Sequence, residues 1–346
     1  MKVLYAIQGT GNGHLCRAKE LIPHLIDYVD LDIAVSGTES EVTLPIELRF
    51  KLNGLSFTFG KSGGIDYAQT LKKFNPMLLQ QEIKQFPAEK YDLIINDFEP
   101  VTAWAARSKN VPVIAVSHQA SFLSEHTPRP SIKSPLVEFL FKWFAPCTKQ
   151  IGFHYTKYDS FIETPLVRKD IRRLQSSNKG HYTMYLPAIK DDTIIDVFTK
   201  LPDCHFEVFS KRATSKQTIK NVEIHPISNQ EFLESFATCD TFITAAGFQS
   251  TSEALFLGKK LIVIPMKGQY EQTCNAVALK SMGIPLLKDL SLRSIDRLKD
   301  AIKNTKVLKV DYPDNVALIV KKILSNDSMN IENTELIEPI PLNQLN

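Results

Sequence analysis

The 346-residue chain carries only five cysteines, Cys16, Cys147, Cys204, Cys239 and Cys274, with no CxxC pair among them. An odd, scattered set excludes a disulfide framework, argues against a structural zinc site and fits a reducing compartment. Long hydrophobic runs are also missing, and nothing approaches the roughly 18 apolar residues of a membrane span. The opening MKVLYAIQG reads as one short strand and is too brief for a signal-peptide core. The expectation is a cytoplasmic protein. Charge of one sign is scarce too: 41 basic against 38 acidic residues leave +3. With no basic string interleaved with aromatics, nucleic acid is not an expected partner. No DxD-type carboxylate pair ends a strand, since Asp191-Asp192 reads as the cap of a helix. No metal and no resident cofactor are expected.

The remaining composition, 43% hydrophobic and 23% charged, is that of a globular protein able to bury a core without staples. The length suits two domains at roughly 150 residues each. Short apolar runs at Val3–Ile7, Leu31–Val35, Leu93–Ile95 and Val111–Val116 alternate with helically spaced segments such as Leu15, Ala18, Leu21, Ile22 and Leu25. Pro23 inside that segment predicts a kink or early stop. The style repeats in the second half, at Tyr182–Leu186, His205–Phe209, Val222–Pro226, Thr241–Ala245 and Lys260–Pro265. Alternating strand and helix signals predict an α/β protein of two Rossmann-like domains facing across a cleft. The expected division is an acceptor-binding domain over 1–167, a polar linker over 168–180 and a donor-binding domain over 181–325. A mobile polar tail over 326–346 follows. A last helix is expected at Asp314–Leu324.

Strand Val3–Ile7 runs into GTGNGH, residues 9–14. As a dinucleotide loop its spacing is GxGxG, and strand Leu31–Val35 ends in Ser36-Gly37 where a ribose-binding acid would be wanted. The competing reading has Gly11, Asn12 and Gly13 presenting His14 at a helix start, facing the cleft. A neutral imidazole there can take a proton from an acceptor hydroxyl. A histidine that only packs or caps is the bland alternative. Strand Leu93–Ile95 ends in Asn96-Asp97-Phe98-Glu99-Pro100, so Asp97 or Glu99 can hold the His14 imidazole. Alternatively, Asp97 caps the next helix. His118, after strand Val113–Val116, is a second cleft candidate, as a substrate contact or a satisfied structural histidine.

Pro135–Pro146, PLVEFLFKWFAP, has Lys133 and Lys149 at its flanks and Lys142 within it. It reads as a buried core helix or as a face touching a bilayer or a lipid-linked acceptor at the inner side of a membrane.

The richest segment is Thr241–Asn275. A strand leads to Gly247, then Gln249-Ser250-Thr251-Ser252, with a helix expected to start near Glu253. Free amides at a helix start receive an anion such as a diphosphate, and Glu253 can accept from a ribose diol. After the next strand, Gln269, Glu271 and Gln272 suit sugar hydroxyls. A capped strand–loop–helix repeat explains the capping residues but not the crowding of Gln249, Glu253, Gln269, Glu271, Gln272 and Asn275 at two strand ends.

The pair of motifs, Gly11–His14 and AGFQSTSEAL…PMKGQYEQ, resembles the GT-B glycosyltransferases related to the peptidoglycan lipid-linked N-acetylglucosaminyltransferase and the UDP-glucuronosyl/glucosyl transferases. It is similar above all to a bacterial and archaeal branch of uncharacterised transferases. The resemblance covers the chain to about Leu324. It implies that His14 is the base or acceptor-binding residue, that Gly247, Phe248, Gln249, Ser250 and Thr251 form the phosphate loop, that Glu253 holds ribose, and that Glu271 and Gln272 hold the sugar. Two departures stand out: Ala246 replaces the phosphate-contacting histidine of plant-type members, and one glycine rather than two precedes His14. The implied reaction is inverting, metal-independent transfer from a UDP-sugar to an acceptor hydroxyl. A nucleotide-sugar epimerase, a dehydrogenase and a non-catalytic sugar-nucleotide-binding protein are the other readings.

Overall fold

The structure is a computed structural model, and it describes residues 1–37, 44, 46–55 and 75–325. The expected tail, 326–346, lies outside the described residues. The first half forms a sheet from β1 (Lys2–Gln8), β2 (Asp30–Ser36), β3 (Phe50–Leu52), β4 (Leu93–Asp97), β5 (Val113–Ser117), β6 (Lys149–Phe153) and β7 (Ile162–Glu163). Their order is β3-β2-β1-β4-β5-β6-β7, and every pairing is parallel. The second half contributes β8 (Tyr182–Tyr185), β9 (Phe206–Ser210), β10 (Gln217–Ile219), β11 (Val222–Pro226), β12 (Thr241–Thr244) and β13 (Lys260–Val263). Their order is β10-β11-β9-β8-β12-β13, parallel except for β10 against β11. Strands β1, β4 and β5 are buried along both faces, which is why they read as continuous apolar runs rather than alternating ones. β3, β6, β7 and β10 carry no such run and were not legible.

In each sheet the strand order reverses once, between β1 and β4 and between β8 and β12. Loops diverge at such a switch point and leave a crevice for a ligand. The Gly-rich loop after β1 and the Asp97–Glu99 corner after β4 flank the first; the loops after β8 and β12 flank the second.

Helix Asn12–Leu25 follows β1, and its Leu15, Ala18, Leu21, Ile22 and Leu25 are all buried on the sheet, as their 3.6-residue spacing requires. It passes through Pro23 and stops two residues later. A proline lacks the amide hydrogen that continues a helix, and the early stop agrees with that. Gly11, the residue before the helix, has φ +94°, a conformation that disfavours any side chain with a Cβ. A Cβ on Gly9 would lie 2.8 Å from the Ser36 carbonyl oxygen, so the tight exit from β1 also demands glycine.

The final helix is Val316–Ile323, beginning two residues later than expected. It packs against helix Asn12–Leu25 of the first domain, burying Val316, Ile319, Val320 and Ile323 in the same apolar cluster as Leu15, Leu21 and Ile22. Lys322 pairs with Glu163 at the end of β7. The chain therefore returns to its first domain, which a division by sequence at residue 180 does not convey. The polar segment 168–180 contains a short helix, Lys169–Arg172, with Ile171 buried. Lys259 Nζ donates to the carbonyl oxygens of Ser177, Ala237 and Cys239, tying that segment to the second domain.

Because Ile319 is fully buried at the helix–helix contact, Ile319→Ala is expected to lower stability by about 2–5 kcal/mol. Urea denaturation followed by circular dichroism measures it, and a change within error would mean that the returning helix does not support the first domain.

Candidate active site

β4 ends in Asp97, and Phe98 with φ +58° turns the chain so that Asp97 and Glu99 point to different neighbours. Asp97 is fully buried and faces helix Asn12–Leu25. His14 Nδ1 lies 2.7 Å from its Oδ1. Arg17 grips the same carboxylate, Nε donating to Oδ2 at 2.8 Å and Nη2 to Oδ1 at 2.9 Å. Burial pushes the Asp97 carboxyl up, but the Arg17 and His14 side chains overcome this and hold it below the ordinary aspartate range. An ionised carboxylate only accepts, so His14 Nδ1 carries the hydrogen, which in the neutral form of the ring leaves the lone pair on Nε2.

Glu99 does not reach the imidazole. Its carboxylate accepts from Ser36 Oγ, from Thr102 Oγ1 and from the backbone amides of Val101 and Thr102. It is the cap of helix Pro100–Ser108. Capping thus falls to Glu99 and the imidazole to Asp97, because Pro100 at the first helical position places Glu99, not Asp97, against the free amides. Burial pushes the Glu99 carboxyl up, with these hydrogen bonds opposing.

In the second domain, helix Phe248–Phe256 starts directly after Gly247. It begins five residues earlier than the sequence suggested, so Glu253 sits in its second turn. The first-turn residues are Phe248, Gln249 and Ser250, and the Gly247 carbonyl already accepts from Thr251 N. Glu253 is buried, and Arg168 from the connecting segment grips it at 2.7 and 2.8 Å. Gln249 Nε2 donates to the same carboxylate and to the Leu166 carbonyl. Oε1 thus accepts from Arg168 and Gln249 and Oε2 from Arg168, three of a carboxylate's roughly four acceptor positions.

The two domains meet through the other candidates. Phe248 stacks on His118 at 3.9 Å and 4°. The His118 ring nitrogens lie 2.8 Å from the Phe153 carbonyl oxygen and 2.8 Å from Asn275 Oδ1; both are acceptors, and a neutral imidazole with its single N–H donates to only one of them. Burial pushes its pKa down, against the nearby Glu271 carboxylate. Asn275 Nδ2 donates to the Ala246 carbonyl. Glu271 accepts from Gln119 Nε2 at 2.9 Å, and Thr251 Oγ1 lies 2.7 Å from Tyr155 Oη. Gln272 Oε1 accepts from Met266 N and fixes the loop after β13, where Gln269 precedes helix Tyr270–Ser281. Gly11, Asn12 and Gly13 open helix Asn12–Leu25 with Asn12 exposed. Across the domains the structure brings His118 to Phe248 and Asn275, Gln119 to Glu271 and Tyr155 to Thr251, while His14 meets Asp97 within the first domain. Arg17, Arg168 and Gln119 were not singled out. For Arg17 a signal existed: it follows His14 by three residues and so shares its helix face. Among the described residues, no group of three or more His, Cys, Asp or Glu is arranged to hold a metal.

A family model described as Glycosyl transferase family 1 matches residues 1–305. An uncharacterised glycosyltransferase of Methanosarcina acetivorans is 22% identical over 324 residues, 82% of each chain. Among solved structures, Acinetobacter baumannii MurG superposes with a TM-score of 0.55 at 12% identity, covering 93% of this chain and 94% of its own. Phytolacca americana UGT2 complexed with UDP-2-fluoro-glucose and pterostilbene superposes with 0.54 at 13%, covering 95% and 91%. At such identities these structures establish the shared fold, two facing α/β domains of the GT-B kind.

Removing the Asp97 carboxylate leaves Arg17 buried without its anion. Asp97→Ala is expected to cost about 3–5 kcal/mol in urea denaturation near neutral pH. The Asp97 carboxyl is depressed in the folded state, so its stabilisation is complete above about pH 4 and is lost as pH falls through the folded value. Asp97→Asn should therefore lose stability less steeply than the parent below about pH 4, and parallel acid profiles would contradict the pairing.

Proposed function

We propose, for a chain that belongs to glycosyl transferase family 1, that the junction performs inverting transfer of a sugar from a nucleoside-diphosphate donor to an acceptor hydroxyl. The observation that carries this reading is the His14–Asp97 contact at the first switch point, across from the loops that follow β12 and β13. The acceptor hydroxyl gives its proton to His14 Nε2 as its oxygen attacks the anomeric carbon. The bond from that carbon to the diphosphate breaks on the opposite face. Asp97 stabilises the imidazolium that forms, and Arg17 keeps Asp97 ionised and in place. The donor lies along Gly247–Ser250, whose amides face the departing diphosphate. Ribose lies at Glu253 and the sugar beside Gln269, Glu271 and Gln272. UDP is the proposed carrier, consistent with the UDP sugar in the Phytolacca complex, and no metal is assigned a role.

His14→Ala is expected to reduce transfer roughly 10²–10⁴-fold while the thermal shift given by UDP persists. Transfer at the parental rate would remove His14 as the base. Conversion of the donor sugar without acceptor would turn the assignment to an epimerase. Binding without turnover of any sugar would turn it to a binding protein, and a thermal shift with NAD alone to a dehydrogenase.

The acceptor side carries a second feature. Helix Pro135–Trp143 buries only Phe141 fully, while Ile132, Leu136 and Phe139 are 85, 57 and 45% exposed. The spacing of Leu136 and Phe139 places them on one helical face, with the exposed Lys133 and Lys142 nearby. No helix among the described residues is long and apolar enough to cross a membrane. We assign this face to peripheral contact with the anionic inner surface of a membrane, which suits a lipid-linked or cell-envelope acceptor and a cytoplasmic enzyme. The doubly substituted Leu136→Glu, Phe139→Glu protein should lose most of its co-sedimentation with phosphatidylglycerol vesicles. Sedimentation equal to the parent would remove the contact.

A further inference from the structure

A cavity of about 360 Å³ opens at the second switch point. Its floor includes Ala245, two residues before Gly247, and its walls come from the loops after β8 and β13 and from the segment around residue 288. Lys190, Lys267 and Lys288 all line it. The three approach from separate stretches of chain, so local sequence does not account for their meeting. None of the three ammonium groups has a hydrogen bond or ion pair with another described residue. The nearest acid in the lining, Asp289, accepts from Ser291 Oγ. A concave site with three cations and one already engaged carboxylate is suited to a polyanion.

We propose that Lys190, Lys267 and Lys288 form a cationic wall that holds the diphosphate of the nucleotide-sugar donor and takes up its charge as it leaves. The inference rests on the donor site assigned above and adds to it the side-chain countercharge that Ala246 cannot supply. A departing diphosphate gains negative charge when the bond to the anomeric carbon breaks, so cations placed beside it favour the transition state over the bound donor. The position agrees with the general rule that phosphates sit where α/β strand order reverses. Lysine acts there as a mobile point charge rather than a rigid fork, so the wall can follow the phosphates from bound donor to product.

The test compares the parent with the Lys190→Ala, Lys267→Ala, Lys288→Ala triple variant and with the corresponding triple arginine variant. All three lysines are exposed, so the folds should survive, and thermal melting verifies this. Calorimetric dissociation constants are measured for UDP, GDP, dTDP, CDP and ADP and for the matching monophosphates. For the diphosphate that binds the parent, the alanine variant should bind about 10- to 100-fold more weakly, roughly twofold to fivefold per exposed ion pair. The loss should be smaller for the monophosphate, the salt dependence should flatten, and the arginine variant should stay within about threefold of the parent. Parental diphosphate affinity in the alanine variant, beside loss of binding in Glu253→Ala, would overturn the lysine wall and leave the donor site standing. Selective loss of a UDP-uronic acid with UDP affinity intact would move the lysines from the phosphates to the sugar and also overturn it. A parent that binds none of the five diphosphates would overturn the donor site and the wall together.

Discussion

The buried carboxylate of Asp97 is the constraint around which the first domain is arranged. A lone ion in that position would cost several kcal/mol. It is tolerated because Arg17 supplies two charge-assisted hydrogen bonds and His14 a third. Those bonds set the rotation of helix Asn12–Leu25 about its axis and its distance from β4. They also select the His14 tautomer with its lone pair on Nε2. The glycines before the helix permit the abrupt exit from β1 that puts His14 within reach. One electrostatic contact thereby fixes a loop, a helix and the protonation pattern of the proposed base.

The second domain is tied to the first by an apolar seam, one cluster that includes Val116, Phe153 and Tyr155 as well as Phe248, Leu255 and Leu279, and by polar groups set beside it. Asn275 joins Ala246 to His118, Glu271 meets Gln119, and Thr251 meets Tyr155. Arg168 closes on Glu253 from the connecting segment. Several of the groups assigned to the donor are therefore spent on holding the domains together. Under the proposed assignment, a donor at these groups meets side chains already engaged between the domains, which links occupancy of the second domain to the first. Helix Val316–Ile323 works differently: it returns with an apolar face and leaves its position on helix Asn12–Leu25 fixed whatever occupies the junction.

Charge is distributed with the same economy. The buried carboxylates of Asp97, Glu99 and Glu253 are each met by named donors. The ammonium groups of the lysines lining the cavity at the second switch point have no partner among the described residues.

The sequence alone determined the two-domain α/β class, most of the long strands, the His14 loop and the polar crowding at 247–275. These are properties of short segments: apolar runs for strands buried on both faces, glycines where the backbone must turn, and capping residues at helix starts. It also carried Asp97 and Glu99 as alternatives, but their division of labour depended on the left-handed turn at Phe98, which no local propensity favours. The partners of Glu253 and His118 lie 85 and 157 residues away in the chain, and the three cavity lysines come from three separate stretches. Such meetings are products of strand order and domain closure. Only the tertiary structure could decide them, because pairing between distant charges leaves no periodicity in the chain that makes it.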